Sequence, residues 1–532
     1  MAIIPNLDAL IPREDFDILS EDKQELTNRD TIDISALVRG HFFYQALRKP
    51  DFQRETSHWS ADKVAELIRT FLDGELVPAI ILWSTGANTF VIDGAHRLSA
   101  LIAWVNEDYG DGVLSLPFFG KALADDQIKA SESTKKLIAK EVGTYEQYKR
   151  LAEVQDPNKP EMSARAKRLG SVSLRVQWVA GNSKNAEDAF YRINLNATTI
   201  DDTELSMIRA RRKPNALATR AIVRAGSGHK YWSGFNPEVQ REIEERSAEI
   251  YNLLCEPPLV TPIRSLDLPA VGSGYSIETT KLIYDFVNFT HDLRSEMWLD
   301  KSKKVRGIPR MHDNALADDA DGTETIKYLR RIRNISDRIT GSHPGSLGLH
   351  PAVYFYGATG NIQPTAFLAV VKLIEYLEKE NALDKFTAVR SRFEEFLVNY
   401  RHFINQIGRT YGSGTKGLEP LFTMYKIIFK LLHEGREDAQ IVEAIQRSDG
   451  LQFITVISEE DKLHGRNFSK ETKSGAMLKA SLVGAARCSI CRARLHVKSI
   501  SFDHVKRLAD GGTGHPSNCA PSHFYCNTTF KN

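Results

Sequence analysis

A chain of 532 residues, 42% hydrophobic and 26% charged, is long enough for about three domains and apolar enough to bury their cores. That balance excludes a disordered tail or a small disulfide scaffold. Lys+Arg 70 against Asp+Glu 68 leaves a formal charge of +2, so no chain-wide basic field is present. Apolar runs such as Val77–Trp83 and Ala366–Val371 fall far short of the roughly 20 residues a membrane span needs. The start, MAIIPNLDALIPRED, carries acids where a secretory leader needs bases. Five cysteines, four of them close together at the end, suit a reducing compartment. The expectation is a cytoplasmic protein with no membrane contact.

Residues 1–40 are polar, with weak strand character at Thr31–Val38. The informative block runs from Asp51 to Trp104. Ser60 is a good N-cap for a helix over Ala61–Leu72, where Val64, Leu67, Ile68 and Phe71 share a face and Gly74 ends the run. Strands are predicted at Ala79–Trp83 and Thr89–Ile92. The second runs into Asp93-Gly94, and a helix follows at once with Leu98, Leu101, Ile102 and Val105 at core spacing. A strand, a glycine turn and a helix N-terminus together make an anion cradle from free N–H groups and the positive end of the dipole. Arg97 and Arg54 are placed to grip a phosphate. The plainer alternative is that Asp93 caps the helix and Arg97 pairs with an acid. Residues 110–168 read as a charged helical insertion that includes Glu132–Val154, and Val172–Val179 as another strand.

The residues Gln53-Arg54, Trp59, Gly74, Pro78 and Asp93-Gly94-x-His96-Arg97 resemble the ParB/sulfiredoxin-like superfamily. They are most similar to the DGQQR-motif N-terminal domain of the GmrSD and SspE defence nucleases. A second signature of that domain is matched by Phe190-x-Arg192-Ile193-Asn194 followed by Thr203-Glu204. The resemblance implies a sensor domain over residues 1–215 that binds a nucleoside triphosphate or a modified DNA feature. Its ligand would lie at Arg54, Asp93, Gly94, His96, Arg97 and Asn194, a turn or capping role being the alternative for Asn194. Ala95-His96 stands where the family has Gln-Gln. That is nearer the ParB-like and DndB pattern, and it bears on nucleotide hydrolysis rather than on anion binding.

From 216 to 460 the pattern is mainly helical. Phe235–Cys255, Thr279–Leu293, Glu324–Ile339, Pro364–Lys379 and Asp384–Ile407 all show 3.6-residue periodicity. LHPAVYFYGATG, Leu349–Gly360, reads as core. Arg209–Lys213 and Arg330-Arg331-x-Arg333 read as solvated charge, with nucleic-acid contact the alternative. Thr410–Lys416 reads as a flexible joint, and Ser458–Gly475 as a hinge before a short helix at Ala476–Ala486.

The last segment, 461–532, carries 12 Lys+Arg against 4 Asp+Glu, a basic surface suited to a phosphate backbone. Cys488-x-x-Cys491 and His523-x-x-Cys526 are two half-sites for one tetrahedral Zn²⁺. So small a segment needs such a staple. Cys519 reads as a packing group. Leu495–Phe502 alternates, with a slip at Lys498-Ser499, and reads as a strand delivering Asp503 and His504 on opposite faces. This run, with the Gly511-Gly512 turn, Asn518 and Asn527, resembles the HNH nucleases and their ββα-metal fold. The resemblance implies His504 as general base and Asp503 and Asn527 as ligands of Mg²⁺ or Mn²⁺. Asn518 would orient the loop behind His504.

The expected architecture is α+β, in three parts: a ParB/sulfiredoxin-like sensor domain at 1–215, a helical coupling domain at 216–460 and a zinc-stabilised HNH domain at 461–532. The expected function is a metal-dependent DNA endonuclease of bacterial restriction or anti-phage defence, working with nucleotide and with partner proteins of a defence operon. The alternatives are a nucleotide-binding, DNA-binding regulator with a non-catalytic zinc tail, and an RNA-cutting nuclease.

Overall fold

The computed structural model of the chain describes residues 4–16, 29–53, 59–85, 87–119, 123, 125–197, 202–272, 274–294, 311–312, 315–456 and 467–531. They form two compact units, Met1–Arg212 with Ser227–Gly234, and Lys213–Gly226 with Phe235–Asn532. Helix of all kinds accounts for 56% of the described residues.

The first unit is built on a mixed sheet ordered β1-β3-β5-β4-β6-β2. The strands are β1 Arg13–Glu14, β2 Thr31–Asp33, β3 Leu47–Pro50, β4 Ile80–Ser84, β5 Thr89–Asp93 and β6 Ser173–Trp178. β4 and β5 pair antiparallel, while β3 runs parallel to β5 and β6 parallel to β4. Because side chains alternate across a strand, β5 supplies two cores. Val91 enters the one formed with Leu98, Leu101 and Trp104, whereas Phe90 and Ile92 enter the one formed with Phe16, Phe52 and Phe190. That two-sided burial explains why the strand reads as an unbroken apolar run.

Helix Ala61–Asp73 begins where the Ser60 hydroxyl accepts from the Lys63 N–H, and it stops at Gly74 in the left-handed region. Helix Ala95–Asn106 is buried at every residue from Leu98 to Val105, so it forms the centre of the unit. The helical stretch predicted over Glu132–Val154 is divided between Asp125–Glu141 and Tyr145–Glu153. Gly143 has φ +99°, and Thr144 with Gln147 forms a capping box that starts a new helix.

The second unit is mainly helical. Pro237–Leu254, Ile277–Thr290, Thr323–Ile339 and Pro364–Lys379 fall where the periodicity puts them. The predicted Asp384–Ile407 helix is two helices, Leu383–Asn399 and His402–Tyr411. The aromatic face Phe396, Tyr400 and Phe403 folds on itself at the break. Thr410–Lys416 is not a flexible joint: Gly414 and Gly417 are buried in a 3-10 turn that leads into helix Leu418–His433. Leu349–Tyr356 is core, every residue being buried. Arg330, Arg331 and Arg333 are spent on Glu242, Glu375, Glu249 and Asp337. Much of the predicted hinge lies outside the described residues, and its last part belongs to helix Lys470–Val483. Two short strands, β7 Leu293–Arg294 and β8 Met311–His312, pair in parallel. Among the described residues no helix is long and apolar enough to cross a membrane.

Candidate active site and metal centre

The end of the chain folds within the second unit around two antiparallel strands, β9 Ile500–His504 and β10 Cys519–His523. Their register sets His504 opposite Cys519, Asp503 opposite Ala520 and Ile500 opposite His523. β9 starts later than the alternation predicts, because Val497–Ser499 forms a 3-10 turn at the slip. Ser499 is drawn in there to accept the Gly341 N–H at 2.8 Å. Pro521 lies in β10 opposite Phe502, and the closing turn is Cys526–Phe530.

The turn before β9, the last residue of β10 and the turn after it bring Cys488, Cys491, His523 and Cys526 together. All four are buried, and their ligand atoms lie within 4.8 Å of one another. His523 Nδ1 faces the cluster, 3.4 Å from Cys491 Sγ, while its Nε2 donates to the Arg494 carbonyl at 3.1 Å. That outer bond fixes ring and tautomer, as is usual for a ligating histidine. Hydrogen bonds from the Cys491 and Cys526 thiols draw the Cys488 thiol down, favouring a thiolate there. Three soft sulfurs and one imidazole nitrogen at this spacing fit Zn²⁺. Cys519 is exposed on the strand edge rather than packed.

The metal cluster is also wedged against the helical part of its unit. Arg390 and Glu394 are fully buried and paired at 3.0 Å. Glu394 accepts the Arg494 N–H at 2.8 Å, and Arg390 donates to the carbonyls of Leu347 and Gly348. A side chain on Gly348, at φ +58°, would strike Ser499 and His523. Arg487 and Arg494 share Glu395, and the Tyr525 hydroxyl reaches Asp384 at 2.8 Å. The tail is therefore not a free-standing module: the Cys₃His cluster gathers it, and a buried ion network seats it.

Two buried histidines face each other at this seam. His350 and His496 have ring centroids 5.5 Å apart. Burial, reinforced by His496, Arg494 and Arg390, pushes His350 down to about 3, and burial with Lys498 nearby pushes His496 down to about 4 despite Asp267 at 3.7 Å. Both folded values lie below the ordinary 6.5, so the unfolded chain takes up these protons first as pH falls. The seam should hold its full stability above about pH 6.5 and lose it towards pH 4, by about 2 kcal/mol per histidine at pH 5. Denaturant unfolding of the full chain at pH 7 and pH 5 checks this: His350→Leu should shrink the difference, and an unchanged difference would contradict the assignment.

Asp503 is buried and His504 half-buried at the end of β9. By alternation His504 shares a face with the exposed Phe502, and Asp503 shares one with Ser501. Asn527 lies against the Ser501 side, donating to Ser501 Oγ at 2.9 Å and to the Phe502 carbonyl at 3.2 Å. Asn518 braces the loop that follows His504. Its oxygen accepts the Lys506 N–H at 2.6 Å, and its amide donates to the carbonyls of Lys506 and Thr513. Lys531, which nothing in the sequence singles out, places its ammonium 2.9 and 2.7 Å from the two Asp503 oxygens and 2.7 Å from the His504 carbonyl.

In the first unit, β5 ends in Asp93 and Gly94 caps the next helix without a side-chain bond. Gly94 has φ +94°, and a Cβ there would lie 2.6 Å from Ile80 Cδ1, so only glycine fits. Arg97 pairs with Asp93 one helical turn back. His96 is buried and stacks on Trp59 with centroids 5.6 Å apart. Gln53 reaches the Ile92 carbonyl at 3.4 Å, which ties Gln53 to β5. Arg54 lies outside the described residues. Asn194 sits in helix Ser183–Ala197, and its side chain is likewise not described.

Comparison with known families matches residues 34–211 to the GmrSD restriction endonuclease N-terminal domain and residues 488–532 to the HNH endonuclease. No curated protein and no solved structure matches the chain. With a Cys₃His cluster framing the second match and four strands of the six-stranded sheet, β3 to β6, inside the first, the chain is a restriction-type HNH nuclease, a hydrolase of phosphodiester bonds that joins a GmrSD-type N-terminal domain to a C-terminal HNH domain.

Proposed function

We propose that the chain cuts DNA in the cytoplasm at His504 and that its first unit licenses the cut. The supporting observation is the end of β9, where Asp503 and His504 leave the strand beside a loop clamped by Asn518, with Asn527 anchored on the Asp503 side. His504 accepts the proton of the attacking water. The water oxygen bonds to phosphorus as the bond to the leaving sugar oxygen breaks. Asp503 and Asn527 would hold Mg²⁺ or Mn²⁺, which supplies positive charge against the scissile phosphate. Cys488, Cys491, His523 and Cys526 would hold Zn²⁺, which would brace the frame. Lys506 and Arg507, exposed just past His504, suit the phosphate backbone.

In the first unit, the uncapped helix start at Gly94, with Arg97, His96, Arg54 and Asn194, would bind a phosphate-bearing ligand, a nucleoside triphosphate or a modified DNA backbone. Such a ligand controls cutting only by binding the restrained and released states differently. Arg97→Ala should weaken binding by about 1.5–3 kcal/mol, the range for a charge-assisted contact, and should lower cleavage although the HNH site is untouched. Nucleotide binding, plasmid cleavage and RNA cleavage are measured side by side for wild type and variant. Unchanged binding and cleavage would remove the sensor, and a substrate preference for RNA would remove DNA as the target.

A further inference from the structure

The carboxylate of Asp503 keeps only 8% of its surface exposed. A buried carboxylate without a cation costs several kcal/mol, so Asp503 needs a positive partner whenever no catalytic cation is bound. The Lys531 ammonium meets that need with both Asp503 oxygens and the His504 carbonyl, three hard oxygens around one positive charge. Lys531 is not a loose side chain that drifted in. Its N–H donates to the carbonyl of the zinc-turn residue Cys526 at 3.0 Å, and its own carbonyl accepts from Arg507 Nη2 at 2.7 Å. Backbone bonds on both sides thus aim the side chain at Asp503 from the metal-stapled turn.

We infer that Lys531 is an internal competitor for the catalytic cation, and that a divalent ion enters the Asp503 site only as the ammonium leaves. The inference rests on Asp503 being a ligand of that ion. A Mg²⁺ bound to a carboxylate oxygen sits about 2.0–2.1 Å from it, and an ammonium on the same two oxygens would then lie beside it, charge against charge. The two occupants therefore exclude one another. The consequence is a site whose carboxylate stays neutralised at rest and whose affinity for Mg²⁺ or Mn²⁺ is held low by its own chain. Lys531, once released, is available to a negatively charged neighbour such as the substrate backbone. Lys531 acts here as a positioning residue, through Asp503.

The test is Mn²⁺ binding to the full zinc-loaded chain, read by the electron paramagnetic resonance of free Mn²⁺ with no nucleic acid present. Lys531→Met should bind Mn²⁺ roughly tenfold more tightly or better, since it removes a competing charge and leaves the carboxylate in need of one. Lys531→Arg keeps the charge and should bind as weakly as wild type, and Lys531→Ala should follow Lys531→Met if the methionine variant folds poorly. Asp503→Asn separates the two levels of the argument. If it leaves Mn²⁺ binding untouched, Asp503 is not a ligand and the site assignment fails. If it abolishes binding while Lys531→Met and Lys531→Ala bind no more tightly than wild type, the assignment stands and the competitor role is overturned.

Discussion

His504→Ala is expected to lower DNA cleavage by about 10²–10⁴-fold, the usual contribution of a positioned general base, and to leave folding and DNA affinity close to wild type. His504 stands at the last residue of β9 on the half-exposed face. The cluster behind it uses Cys488, Cys491, His523 and Cys526, and the loop beside it is held by Asn518 through backbone groups of Lys506 and Thr513. Neither depends on the His504 ring, so truncation removes the proton acceptor and little else. Cleavage rates on plasmid, with thermal unfolding and DNA binding as controls, measure the effect. A variant that retains wild-type rates would take His504 out of the chemistry.

Cys488→Ser acts on the frame instead. Structural zinc in small domains contributes on the order of 10–16 kcal/mol of apparent folding free energy, so losing one thiolate should release about one zinc per chain and open the tail. The effect is tempered here by the second anchor. Arg390, Glu394 and Arg494 form a buried network, and Tyr525, Thr528 and Ser499 bond to the helical body. The helices of the second unit should therefore stay folded while residues 488–531 become protease-sensitive and cleavage is lost. Elemental analysis and limited proteolysis report the two halves of that statement separately. Stoichiometric zinc in the variant would rule Cys488 out as a ligand.

How far these features are legible in the sequence depends on how local their causes are. The Cys₃His quartet is two short x-x-spaced pairs, so spacing alone picks out its four residues. The Ser60 cap, the Gly74 stop and the turn at Gly94 are equally local, and their chemistry is written within a few residues. The slip at Lys498-Ser499 marks the place where the strand gives way to a 3-10 turn, but its cause, the Gly341 N–H, is some 158 residues away. Arg390, Glu394 and Arg494 look like surface charges in the sequence. Only the fold shows them buried together across about a hundred residues of chain. Lys531 is a lone lysine with no motif around it, and its place against Asp503 depends on a turn that two backbone bonds hold. The helix break after Asn399 is hidden because the apolar spacing continues through it, while the aromatic rings of Phe396, Tyr400 and Phe403 pack around the bend.

The most direct measurement of the central claim is plasmid cleavage by the zinc-loaded full chain, wild type beside Asp503→Asn. Mg²⁺ or Mn²⁺ is titrated at constant zinc, with and without nucleoside triphosphate. Cleavage that rises with the added cation in the wild type and is lost in Asp503→Asn is the predicted result. Cleavage that proceeds with zinc alone, or that Asp503→Asn leaves undiminished, would contradict it.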